Sequence, residues 1–220
     1  MKKQTIVLLM IIITAFIFAK DIKLITDNGE AVILHENGTW EKLINRNSMN
    51  GFDFRRINWG MDINTVKESE PFEWEKGELD VNTQYLFSHI DLLGEETMLA
   101  YYFNLNRVYQ TRYMITEKHS NKTEYWQFYK RLISELKNKY GNSASCHTGQ
   151  PVWLNELYKD NPDDWGTAIS TGDMHAVAKW ELPETTIIAI IKGNNHDIDL
   201  WLEFKAKNIN VIETKKTEAF

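Results

Sequence analysis

Short apolar runs joined by short turns recur along the chain after residue 83. The clearest pair, 97–104 and 107–116, is joined at Asn104-Leu105-Asn106 and is rich in β-branched and aromatic residues that can bury one face. Turns this short join antiparallel neighbours. We therefore predict an antiparallel sheet with six principal strands, at 83–92, 97–104, 107–116, 176–182, 185–192 and 197–205. In the last strand, residues 198, 200, 202 and 204 are predicted to face the core.

Two helices are predicted, each ahead of a group of strands. The first begins after Asp62, whose side chain can cap free amide groups, and ends before Pro71. The second covers residues 122–140, where apolar residues recur at steps of three and four, and Asn121 with Glu124 fits a capping box at its start. The second helix can therefore present an apolar stripe to a sheet.

The element order predicts an α+β domain over residues 52–207. It has two helices packed on one face of the sheet and allows a tandem repeat of one helix/strand unit. Residues 141–173 are expected to be irregular, apart from one helical turn at 152–158. A turn between the last two strands is predicted at 193–195. Residues 208–220 are expected to form a flexible tail.

Residues 20–46 form a separate small unit in this interpretation. Asn28-Gly29 and Asn37-Gly38 supply the positive φ that tight hairpin turns require, so we predict a three-stranded β meander. A sheet this small is marginal alone and is expected to dock on the main domain or on a partner. The stretches 25–29 and 37–41 resemble a short β unit found just after the signal peptide in many bacterial envelope proteins.

The first 19 residues are typical of a secretory signal peptide, with Lys2 and Lys3 followed by an uncharged run up to Phe18. The run is short for a membrane span, which takes roughly 20 apolar residues. Cleavage after Ala19 and retention as an anchor are the two alternatives, and both place the domain outside the cytoplasm. No cysteine lies near this point to carry a lipid, so we expect a periplasmic or secreted protein with no stable membrane insertion after cleavage.

Charge and cysteine content exclude some classes of partner. The chain has 25 Lys and Arg against 31 Asp and Glu, a net charge of −6, which repels nucleic acid and anionic lipid. The single cysteine, Cys146, cannot form an intramolecular disulfide. Stability is therefore expected to come from packing.

No catalytic or cofactor motif stands out. Cys146 and His147 are neighbours in a polar stretch, which does not aim one side chain at the other. A metal site could be assembled from two histidines and two acids, His175, His196, Asp197 and Asp199. They lack the spacing of known zinc motifs, and phosphate-binding glycine motifs are also absent from the sequence. We predict no cofactor and no catalytic centre, with a hydrolase as the less favoured interpretation.

Aromatic residues are the remaining candidates for binding. Three tryptophans lie in periodic apolar contexts and are predicted to be core residues, namely Trp59, Trp126 and Trp180. The irregular segment contains Trp153, Tyr158 and Trp165. In the last strand, Trp201 alternates with the residues predicted to face the core. These four are the predicted ligand or partner contacts, because aromatic faces anchor protein hot spots and stack on sugar rings. An unknown envelope protein is the favoured partner, and a carbohydrate or small ligand is the alternative.

Four short features give the main domain a family resemblance. They are Trp59-Gly60-Met61 before a capped helix, Tyr102-Phe103 in a hairpin, residues 136–141 closing a long helix, and Trp180 followed by Thr185-Thr186-Ile187. In architecture the chain is similar to beta-lactamase inhibitory protein and to the small lipoprotein of the outer-membrane assembly machine. The resemblance implies helices layered on an antiparallel sheet and a binding role. The chain departs from it in lacking a lipid anchor and a disulfide pair, and in the longer segment 141–173.

Overall fold

The computed structural model describes residues 22–25, 31–34, 40–42, 52–141 and 148–211. The chain folds as two units, residues 1–46 and 47–220. The first unit contains β1 (Ile22–Ile25), β2 (Ala31–Leu34) and β3 (Trp40–Lys42). These strands pair antiparallel in the order β1-β2-β3.

The second unit has an α+β architecture, with one eight-stranded antiparallel sheet and three α-helices among its described residues. Its elements are α1 (Ile63–Ser69), β4 (Glu75–Glu78), β5 (Thr83–Leu92), β6 (Glu95–Asn104), β7 (Arg107–Ile115), α2 (Thr123–Tyr140), β8 (Thr148–Trp153), α3 (Trp165–Thr171), β9 (Met174–Glu181), β10 (Thr185–Asn194) and β11 (Asp197–Ala206). The strand order is β4-β5-β6-β7-β11-β10-β9-β8. Strands β7 and β11 therefore lie side by side at the centre, with consecutive strands running outward from each.

Helix α1 begins where the sequence predicts. The Asp62 side chain accepts hydrogen bonds from the backbone amides of Asn64 (2.9 Å) and Thr65 (3.1 Å), and the Thr65 hydroxyl donates to it at 2.6 Å. These bonds, led by the one from the Thr65 hydroxyl, lower the pKa of Asp62. The helix ends at Ser69, just before Pro71, because the residue preceding a proline is pushed out of helical geometry.

Helix α2 matches its predicted range to one residue, but its cap differs. The Asn121 side chain accepts from the Thr123 amide at 3.1 Å, as an N-terminal capping residue does. Glu124 does not complete the predicted capping box, since its carboxylate lies 2.9 Å from Nδ1 of His119. At the other end, Gly141 takes a φ of 79° and its amide donates to the carbonyl of Lys137.

The prediction that residues 141–173 are irregular is wrong over much of this range. Strand β8 and helix α3 lie within it, and Val152 belongs to β8 rather than to a helical turn. Pairing with β9, where Val152 opposes His175 and Trp153 opposes Met174, outweighs the weak local signal. Helix α3 is also weak by propensity, because its seven residues include a glycine, two threonines and an isoleucine.

Three tight turns join neighbouring strands with two central residues at positive φ. These pairs are Leu93-Gly94, Leu105-Asn106 and Asn195-His196. Two successive positive φ angles define the turn whose twist matches that of paired strands. The predicted turn at 193–195 is thus displaced, because β10 continues to Asn194 before the chain reverses.

One face of the sheet forms the core, and we call it the core face. In β11 the predicted inward residues are 3–8% exposed, namely Ile198, Leu200, Leu202 and Phe204. Trp126 and Trp180 are buried as predicted, at 5% and 2% exposure. Trp59 is half-buried against the core, and its indole N–H donates to the Thr185 hydroxyl at 2.7 Å.

Candidate functional site

The other face of the sheet, which we call the outer face, is formed by the residues that alternate with the core set. Its middle is unusually apolar for a face that alternates with a buried one. The central members across β5, β6, β7, β11, β10 and β9 are Tyr85, Phe87, His89, Met98, Ala100, Tyr102, Gln110, Arg112, Met114, Trp201, Glu203, Lys205, Ile188, Ile190, Val177 and Lys179. Towards the strand ends the outer face is charged, with Asp91, Glu96, Asp199, Lys192 and Glu181 among its members.

An unbroken row of apolar side chains crosses the middle of the outer face. Met98 of β6 opposes Met114 of β7, which opposes Trp201 of β11, and Trp201 in turn opposes Ile190 of β10, followed by Val177 of β9. All five are half-buried. With strands about 4.8 Å apart, this apolar row is about 19 Å long. Contiguous apolar surface of this kind marks interaction sites more often than isolated apolar residues do.

An ion pair lies beside the apolar row, two residues further along the strands. Nε and Nη2 of Arg112 lie 3.1 and 2.5 Å from Oε2 of Glu203, and Gln110 donates to the same oxygen at 3.2 Å. The Glu203 side chain is 14% exposed and that of Arg112 is 32% exposed. Charge-assisted bonds of this length fix the orientation of both groups. The arginine is therefore held in place, while its side chain remains partly exposed to solvent.

Aromatic rings on both sides support the same arginine. The Cζ atom of Arg112 lies 5.7 Å from the ring centroid of Tyr102 and 5.8 Å from that of Trp201. Nζ of Lys192 lies 5.2 Å from the Trp201 ring. Cations near ring faces are attracted by the ring quadrupole. Burial raises the pKa of Tyr102, although the charge of Arg112 opposes this shift, so its hydroxyl stays neutral at ordinary pH.

A second group of rings occupies the β5 side of the outer face. The Tyr85 ring lies 5.8 Å from both Phe87 and Tyr102, with interplanar angles of 34° and 33°. Tyr85 also covers Gly77 on edge strand β4, where any side chain would overlap the ring. The missing side chain at position 77 therefore lets Tyr85 lie across the edge of the sheet.

The structure separates the four aromatic residues predicted from sequence into two groups. Trp153 and Trp165 meet edge to face at 5.5 Å, and Trp165 meets the buried Trp126 at the same distance. Together with Tyr158 they pack against the core. Trp201 belongs to the outer face, on the opposite side of the sheet from Trp153. Only Trp201 is thus part of the apolar row.

Two buried carboxylates outside the outer face have their own partners. Glu70, whose side chain is fully buried, accepts from the Tyr101 hydroxyl at 2.9 Å and from Nε of Arg55 at 3.1 and 3.2 Å. Glu95 lies 2.7 Å from Nε2 of His119 and 3.1 Å from Nη2 of Arg131. Paired and hydrogen-bonded in this way, both carboxylates fit a structural role.

The candidates for chemistry are not brought together. Among the described residues, no group of three or more histidine, cysteine or acidic side chains is arranged to hold a metal ion. His175 lies in β9, whereas His196 lies in the β10–β11 turn, where its amide donates to the carbonyl of Ser170. Asp197 and Asp199 are exposed on β11. Cys146 and His147 lie outside the described residues.

The apolar row is the feature that sequence reasoning missed, although a signal for it is present. Within Thr185-Thr-Ile-Ile-Ala-Ile-Ile191 of β10, five consecutive positions, 187–191, are apolar. A strand that is apolar on both faces is typical of a sheet covered on both faces, not of one that faces water on one side. This run therefore predicts that the outer face, like the core face, carries apolar side chains.

Comparison with known proteins identified no relative. No family model, no curated protein and no solved structure matches this chain. Of the helices in the described part of the chain, none combines the length and the apolar character needed to cross a membrane.

Proposed function

We propose that this protein is an exported, non-catalytic module that binds another protein through the outer face of its eight-stranded sheet. The observation that carries the proposal is the apolar row from Met98 to Val177 beside the Arg112–Glu203 ion pair. Binding energy at protein interfaces concentrates in Trp, Tyr and Arg residues near the centre of the contact. Trp201, Tyr102 and Arg112 lie together near the middle of this face.

The proposal includes a one-sided architecture, with helices on the core face only. Glu70, at the end of α1, bonds Tyr101 of the core face, and the Tyr140 ring of α2 lies 6.4 Å from that of Phe204. Ile169 of α3 belongs to the same buried cluster. A sheet covered on one side leaves its outer face available to a partner. Each half of the sheet contributes four consecutive strands, and the halves meet at β7 and β11, which supports the tandem arrangement predicted from sequence, although α3 is inserted between β8 and β9 in the second half only.

Capture of partner proteins from envelope extracts tests the binding surface. Immobilised wild-type protein should retain a discrete partner, and Trp201→Ala should reduce its retention at least tenfold, since a central aromatic anchor contributes about 2 kcal/mol or more. Lys159→Glu, which changes an exposed residue of the 154–161 segment, is the control and should bind normally. Equal capture by the wild type and a folded Trp201→Ala protein would count against the outer face.

A second version of the same test examines the surface predicted from sequence. Trp153→Ala and Trp165→Ala remove residues that pack against the core, so we expect lower stability rather than a selective loss of binding. Partner loss from these variants with unchanged thermal stability would instead assign the site to the segment between β8 and α3.

Export is the part of the proposal that rests on residues 1–19 alone. We expect the mature protein to begin at Lys20 in the periplasm or the medium. Mass spectrometry of protein purified from a fractionated bacterial host would establish the first residue. A full-length chain in the cytoplasmic fraction would contradict export.

A carbohydrate is the second candidate ligand, favoured by the three rings on the β5 side of the outer face. The Tyr85 ring is tilted by only 34° from Phe87 and 33° from Tyr102, which approaches the flat platform on which sugar rings stack. Quenching of tryptophan emission by a glycan, abolished by Tyr85→Ala, would support this ligand class. No response to a glycan panel would leave the protein partner as the sole candidate.

A further inference from the structure

We infer that the protein bound by the outer face is a second copy of this chain, docked face to face about a two-fold axis that runs along the strands between β7 and β11. This inference rests on the proposed function of the outer face as a protein-binding surface. It adds the identity of the partner and the geometry of the contact.

The strand order determines what such an axis brings together. Rotation about a line between β7 and β11 places β7 of one copy over β11 of the other, and β6 over β10. Positions along the strands are preserved, so each row of side chains meets its own row in the second copy. A two-fold contact of this kind is self-complementary, as most homodimer interfaces are.

The apolar row then meets apolar partners along its length. Met114 lies over Trp201 of the other copy, since the two residues are paired neighbours on β7 and β11. Met98 lies over Ile190 by the same register. Methionine adapts its shape to irregular gaps, which suits a contact between two twisted sheets.

Charges on either side of the apolar row are complementary under the same rotation. Arg112 faces Glu203 of the second copy, because these residues oppose each other on the two central strands. Glu96 of β6 lies in the row of Lys192 on β10 and therefore faces it across the interface. An axis running across the strands at the Arg112 row would instead place Arg112 over Arg112. Charge complementarity thus selects the axis along the strands.

The size of the surface agrees with a dimer contact. The contact area can be estimated from strand spacing. The outer face spans six strands about 4.8 Å apart and four rows of side chains about 6.8 Å apart, which together cover on the order of 700 Å² per copy. Standard protein interfaces bury about 800 Å² per partner. The outer face is therefore large enough for a specific homodimer without help from other elements.

Charge reversal tests the inference, because Glu96 and Lys192 are well separated within one chain. Three strand spacings, about 14 Å, lie between them, so a strong coupling must arise between copies. Sedimentation equilibrium should show that the wild type is a dimer. Glu96→Lys and Lys192→Glu should each weaken association at least fivefold, and the double variant should recover the wild-type association. Glu68→Lys, on an exposed position of α1, should leave association unchanged.

The outcomes distinguish this inference from the proposed function. A wild-type monomer up to about 100 µM, or a dimer whose double variant shows no recovery, would overturn the second copy as the partner. If a different protein is still captured and lost with Trp201→Ala, the outer face keeps its proposed function. Far-ultraviolet circular dichroism on each variant confirms that loss of association does not reflect unfolding.

Discussion

The ring of Tyr85 lies directly over the backbone of Gly77, so a side chain at position 77 and the ring in its present place exclude each other. Strand β4 is an edge strand, and its four residues pair only with β5 on one side. The tyrosine therefore covers an otherwise bare part of the sheet edge. Its position links the stability of that edge to the shape of the outer face.

Gly77→Ala is expected to push the Tyr85 ring off the edge strand. Since the ring is half-buried and its far end can rotate away, the free energy of unfolding should fall by only about 1 kcal/mol, at the low end for overpacking. Chemical denaturation measures the loss. In a Tyr85→Ala background the same substitution should cost nothing further, and an additive cost there would show that the ring is not the obstacle.

The buried carboxylate of Glu70 should depend strongly on its two donors. Tyr101→Phe removes one hydrogen bond to a charged acceptor and should lower the free energy of unfolding by about 2 kcal/mol. Arg55→Ala removes the only cation that pairs with Glu70 among the described residues and should cost about 3 kcal/mol. Urea denaturation at neutral pH tests both values. A neutral result for Arg55→Ala would mean that water reaches Glu70.

His119 should stabilise the junction between β7 and α2. Its two ring nitrogens lie 2.7 Å from Glu95 and 2.9 Å from Glu124, and Glu95 is 7% exposed. His119→Ala leaves Glu95 with Arg131 alone and should cost about 2 kcal/mol. His196→Asn, at an exposed turn position whose positive φ asparagine tolerates, is the control, and thermal unfolding compares the two variants. Equal melting temperatures in the two variants would refute a role for the His119 contacts.

Alkaline pH is expected to weaken the fold through its buried tyrosines. Burial raises the pKa of Tyr140 to about 12 and also raises the pKa values of Tyr101 and Tyr113. A raised pKa in the folded state means that the stabilising effect is complete below about pH 10 and is lost as the pH rises towards 12. Denaturation measured from pH 9 to 12 should show this decline, and Tyr140→Phe should show a shallower one. Identical profiles would remove Tyr140 from the explanation.

Local pattern was sufficient for the elements whose signals are strong in the sequence. The cap at Asp62, the periodic apolar stripe of α2 and the alternation in β11 each specify an element without help from distant residues. Short-range capping and periodicity are encoded within a few positions, and for this reason those predictions are confirmed.

Elements that form only through contacts with distant residues could not be predicted from local sequence pattern. Strand β8 contains Gly149 and Pro151 and is defined by its pairing with β9. Helix α3 packs its Gly166 against the backbone of residues 122–123, a contact that no local pattern encodes. Alternation within β11 predicts that Trp201 faces away from the core, whereas Met98 and Met114 join it in the apolar row only through the order β6-β7-β11, which the sequence does not specify.

The most direct measurement is site-specific photo-crosslinking at Ile190 in the cells that make the protein. Ile190 lies in the apolar row, so a photoreactive residue there should form a discrete protein adduct, which mass spectrometry would identify as a second copy or another chain. The same residue at Glu68 on α1 should form none. A folded protein that gives no protein adduct from Ile190, or equal adducts from both positions, would contradict binding through the outer face.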